Sequence, residues 1–128
     1  MVHQQPLIRR WSLYGRMIRS AHEPDNPSLL QEYLADGERI ASKRDVDERD
    51  IYSEEFRLLL DTVSDLCLPQ HWRSLCLDYI YRPLNALNTL SKGNALAKKQ
   101  VRAMEYELSI ISHYFSADLN GSSRYAGV

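Results

Sequence analysis

Apolar residues recur along most of this chain at intervals of three and four, the spacing that lines one face of a helix, and nowhere in the two-residue alternation of a half-buried strand. Leu7, Trp11, Tyr14 and Ile18, widened by Ile8 and Met17, predict a first amphipathic helix from Pro6 to Ser20. Pro6 suits its first turn. Gly15 weakens it by about 1 kcal/mol relative to Ala. The stretch His22 to Ser28, with two prolines, predicts a loop. Ser28 caps a short helix through Leu29, Leu30, Tyr33 and Leu34 that ends near Asp36-Gly37. From Glu38 to Asp50 the only apolar residues are Ile40, Ala41 and Val46, which predicts a mobile, charge-rich connection.

The second half is better patterned. Ser53-Glu54-Glu55 opens a helix whose buried face is Phe56, Leu59, Leu60, Val63, Leu66 and Cys67. Pro69 restarts the chain, and Trp72, Leu75, Cys76, Tyr79 and Ile80 repeat the pattern until Pro83 limits it, giving an antiparallel pair turned at Leu68-Pro69. From Pro83 to Phe115 two more helices meet at Ser91-Lys92-Gly93-Asn94. Leu84, Leu87 and Leu90 line the first. Gly93 supplies the left-handed residue that ends it, and Asn94 caps the second. That second helix places Leu96, Val101, Met104, Leu108, Ile111 and Phe115 inside, to about Ser116. The pattern predicts an all-α fold, a compact bundle of five or six helices in one domain over 1–116, with a helix-turn-helix-like unit over 83–116 and a flexible tail over 117–128.

Charge changes the picture through its placement. The net charge is −1, yet residues 1–22 hold four arginines and no acid, residues 23–66 hold thirteen acids against five bases, and residues 67–104 hold six bases against Asp78. Such segregation suits a protein with one basic and one acidic face. No segment reaches the roughly eighteen apolar residues of a membrane helix, so a cytoplasmic protein is expected. Cys67 and Cys76 match neither a zinc ribbon nor a C-x-x-C motif, and their apolar contexts predict two buried, reduced thiols. Asn120-Gly121-Ser122 fits a glycosylation sequon but reads more simply as tail.

Catalysis has little support. His3, His22, His71 and His113 are scattered, no glycine-rich phosphate loop occurs, and the acids from Asp45 to Asp50 lack the glycine and terminal Glu of a calcium loop. A protein that is not an enzyme, with no cofactor and no metal, is the expectation. Trp11 and Trp72 fall at core spacing, and Tyr81, two residues from Tyr79, belongs on the surface.

The late basic helix is the sharpest functional signal. In a helix-turn-helix the second helix sets its first turns in the major groove, where phosphates reward cations and base edges reward Arg, Lys, Asn and Gln. Asn94, Lys98, Lys99, Gln100 and Arg102 meet both needs. Thr89 departs from the motif, which favours a small residue four positions before the turn glycine. The order of features, from the arginine- and tryptophan-bearing LIRRWSLYGRMIRS through an N-P loop, an acidic helix and Leu75 to Tyr79, resembles the late-gene antitermination proteins of phages, the Q-type family, over roughly residues 7–116. That resemblance implies a cytoplasmic regulator that binds duplex DNA and engages RNA polymerase. Lys98, Lys99, Gln100 and Arg102 would then read DNA, Arg9, Arg10 and Arg16 would contact phosphates, and the acidic 45–55 stretch would face a protein. The alternative expectation is a non-enzymatic helical interaction protein, an adaptor, secretion chaperone or anti-factor, holding a protein partner in a groove.

Overall fold

In the structure, a computed structural model, the backbone is described from residue 5 to 126 and the side chains from 6 to 117. Within those bounds it is all-α: α1 (Gln5–Arg19), α2 (Pro27–Ala41), α3 (Glu48–Ser64), α4 (Gln70–Tyr79), α5 (Tyr81–Leu90) and α6 (Ala95–Ala126). The hub is α3, which packs against all five others. Phe56, Leu59, Leu60 and Val63 on α3 are buried and meet Trp11 and Ile18 of α1, Leu30, Tyr33 and Leu34 of α2, and Trp72 and Cys76 of α4 in one core. Both tryptophans belong to that core, and Tyr81 is exposed, as their spacing predicts.

The structure departs from expectation where polar residues turn inward. The helix expected to stop at Gly37 runs on to Ala41 with Ile40 and Ala41 buried. Asp36 is also buried, because Arg10 Nε and Nη2 donate to its carboxylate at 2.8 and 2.7 Å and Arg39 Nη1 donates at 2.9 Å. Gly37 is required where it stands: a Cβ there would lie 1.8 Å from Glu55 Oε2 and 3.1 Å from the Trp11 indole nitrogen. The charge-rich connection therefore shrinks to residues 42–47. Asp47, whose carboxylate accepts from the Arg49 amide at 3.0 Å, caps α3 in place of Ser53.

At its other end α3 stops at Ser64, so Leu66 and Cys67, placed inside by its periodicity, fall in the following turn and are exposed. Cys76 alone of the two thiols is buried, and burial pushes its pKa up to about 12. The chain breaks before Pro83, at Ile80, and Pro83 sits in the first turn of α5, where a missing N–H leaves no helical bond unmade. The backbone of α6 continues to Ala126, past the end expected near Ser116; the side chains from 118 onward, and with them the expected tail and sequon, lie outside the described residues. Among the described residues no helix is long and apolar enough to cross a membrane.

Candidate nucleic-acid interface

The turn between α5 and α6 is built as its residues require. The Ser91 amide donates to the Leu87 carbonyl at 3.0 Å and its hydroxyl to the Asn88 carbonyl at 2.7 Å, closing α5. Gly93 takes φ 78°, the left-handed region open to glycine at no steric cost. Asn94 Oδ1 accepts from the Ala97 amide at 3.0 Å and so starts α6.

From that start α6 lays Ala97 and Val101 into the core, with Met104 half-buried, against α5 and α3. The opposite side of its first turns is open to solvent. Lys98, Lys99, Gln100 and Arg102 are all exposed, Asn94 partly so, and none of the ion pairs among the described residues engages Lys92, Lys98, Lys99 or Arg102. Leu96, expected inside, is 67% exposed. It lies one residue off the buried positions Ala97 and Val101, and Ala97 takes the inward place. The predicted reading residues thus share one open end of a rigid rod.

The other bases sort differently. Arg73, counted in the same basic block, is buried: its Nε donates to the Val63 carbonyl at 2.8 Å and its guanidinium stacks 5.1 Å from the Phe115 ring centre. Arg82 pairs with Glu38 at 2.7 Å. On α1, Arg10 is held by Asp36, while Arg9 and Arg16 are exposed, Arg16 beside a shallow groove that Glu54 also lines. Because α1 packs on α2 and α3, and α6 on α3 and α5, the hub helix stands between the two basic sets. The structure brings Asn94, Lys98, Lys99, Gln100 and Arg102 together and leaves Arg9, Arg10 and Arg16 on a separate element. The acidic 45–55 stretch also divides: Asp47 caps α3, Glu48, Asp50 and Glu54 are exposed, and Glu55 is buried.

Glu55 is the group that sequence reasoning passed over. It is 1% exposed, it accepts from the Trp11 indole N–H at 2.9 Å, and Trp11 stacks on Tyr33 with ring centres 5.6 Å apart. Burial, opposed by the Trp11 hydrogen bond and aided by Glu38, raises its pKa to about 8; burial, with Glu55 and Glu54 nearby, raises that of Tyr33 as well. Its signal was present in the spacing, since Ile51, Glu55 and Leu59 are four apart on the buried face of α3. Closed off from solvent, it ties α1 to α3 through the Trp11 indole, with Gly37 of α2 leaving space for its carboxylate. Among the described residues no three of His, Cys, Asp and Glu come together as metal ligands would. A groove of about 460 Å³ between α5 and α6 brings Glu105, Ser109, Ser112 and His113 of α6 beside Tyr81.

No family model, no curated protein and no solved structure matches this chain.

Proposed function

We propose that this protein is a small DNA-binding regulator of transcription, non-enzymatic, that grips duplex DNA with the first turns of α6 and acts on RNA polymerase as the antitermination family it resembles does. One observation carries the reading: Lys98, Lys99 and Arg102 stand outward at the start of a capped, rigid helix with no carboxylate of the protein bound to them among the described residues. An unpaired cation cluster on a solvated helix end is free to neutralise phosphates, and Asn94 and Gln100 beside it carry the amide groups that pair with base edges.

The test is retention on duplex DNA at low salt. Replacing Lys98, Lys99 and Arg102 together by Ala touches no buried group, so the far-UV circular dichroism should stay as it is while retention is lost. Retention equal to the wild type's would exclude α6 as the DNA-binding surface.

A second reading, a helical protein that binds another protein, is favoured by a different observation on the same helix. Tyr106 and Tyr114 are 70% and 68% exposed, a large apolar display for a surface helix. Flow-through on DNA together with co-purification of one defined protein would select it.

A further inference from the structure

Beyond its basic turns, α6 carries a second apolar face that the bundle leaves uncovered. Tyr106 is 70% exposed, Ile110 38% and Tyr114 68%, and the exposed residues Ala103 and Ala117 continue the line at either end. At 3.6 residues per turn these positions fall in a stripe roughly 80° wide on the side of the helix away from Val101, Leu108 and Phe115. Arg57 of α3 fixes the rotation of the helix by donating to both carboxylate oxygens of Glu107 at 2.6 and 3.1 Å.

The stripe reads the same in both directions. Tyrosine stands four residues before and after Ile110, and alanine seven before and after it. Ile110 is also at the midpoint of the 32-residue helix Ala95–Ala126. A two-fold axis through that point lays the central turns of two antiparallel copies of α6 together, from Ala103 to Ala117. Isoleucine then meets itself, each tyrosine lies beside the other copy's tyrosine, and alanine faces alanine, where small side chains let the helices approach. An isologous contact requires this self-complementarity. Recognition of an unrelated protein gives no reason for it.

We propose that α6 pairs with α6 of a second copy of this chain, antiparallel about a two-fold axis at Ile110. The area suffices. Four tyrosines at about two-thirds exposure bring roughly 400–600 Å² to the contact. The two isoleucines, the four alanines and the exposed residues flanking them between Ala103 and Ala117 carry it to about 1,000 Å², where specific interfaces begin. The pairing goes beyond the regulator reading and stands without it.

Sedimentation of the full chain tests it. The wild type should approach twice the 14.9 kDa of one chain. Ile110→Arg should sediment as a monomer with unchanged circular dichroism, its self-association at least tenfold weaker. Direction is tested by disulfide trapping in a Cys67→Ser background. Mixed Ala103→Cys and Ala117→Cys chains should cross-link to each other under mild oxidation. Ala103→Cys alone should not, because its two copies would sit roughly 20 Å apart along the helices, beyond the reach of about 7 Å between α-carbons. A wild type that stays monomeric up to its solubility limit, a dimer that survives Ile110→Arg, or self-trapping at position 103 would each overturn the proposal.

Discussion

Glu55 shows at the scale of one residue how a buried polar group sets the pH response of the fold. Unfolded, its carboxyl loses a proton near 4.5; folded, near 8, with burial the main cause, Trp11 and Arg82 opposing, and Glu38 and Glu54 assisting. Between those values the folded chain holds a proton that the unfolded chain has released, so stability falls as pH rises. The contribution is complete below pH 4.5 and lost once pH passes 8, on the order of 5 kcal/mol across the window. Glu55→Gln keeps an acceptor for the Trp11 indole and cannot ionise. The wild-type melting temperature should therefore drop from pH 5 to pH 9 relative to that of Glu55→Gln, a comparison that thermal melts in matched buffers make directly. Parallel curves for the two proteins would show that Glu55 holds no proton in the fold.

At the scale of elements, apolar spacing was enough to place α1, α4, α5, the start of α6 and the middle of α3, because each buries one uninterrupted stripe in the core, while α3 begins at Glu48 rather than Ser53 and ends at Ser64. It failed at α2, where Asp36 and Gly37 look like a stop signal. The reasons they are not, Arg10 on the Asp36 carboxylate and a carboxylate and indole that leave no space for a Cβ at Gly37, lie 18 to 26 residues away in sequence and cannot be seen in local pattern. It failed again at Leu66, Cys67 and Leu96, each just past a helix end or off the buried line by one residue. The cation cluster of the candidate interface was legible, since charge and capping are local; the internal use of Arg10, Arg73 and Arg82 was not, since partners are set by the fold. The turn at 91–94 is the local feature read most directly, and its cost of disruption can be stated. Gly93→Ala meets nothing within 4 Å, so it should lose only the strain of φ 78°, about 1–2 kcal/mol. Asn94→Ala removes the cap and should lose about 1 kcal/mol. Urea midpoints measure both. The same two changes should leave Glu55-dependent pH behaviour untouched, because the end of α5 meets α3 at Arg49, whose Nη2 donates to the Leu90 carbonyl at 3.3 Å, six residues before Glu55.

For the whole molecule, the basic turns and the palindromic stripe share one helix, and the proposed pairing of α6 would convert one cation cluster into two. Residue 100 and its symmetry mate lie twenty positions apart along the paired rods, roughly 30 Å. A two-fold axis perpendicular to the rods sets both clusters on the same side. Successive major grooves on one face of B-form DNA repeat at about 34 Å, so the pair fits adjacent grooves without bending the duplex far. The expectation is a change in salt dependence. On the proposed reading, Lys98, Lys99 and Arg102 would neutralise about three phosphates per copy, a log-log slope of about −2.7 for a monomer and about −5.4 for the pair. Ile110→Arg should halve the slope on a long duplex while leaving binding measurable, and the triple alanine variant should flatten it. On a duplex shorter than roughly 10 base pairs, which spans less than one groove repeat, wild type and Ile110→Arg should converge. Dimerisation in sedimentation with a slope that the triple alanine variant leaves unchanged would separate the two proposals, leaving the helix pair intact and moving the DNA contact away from α6.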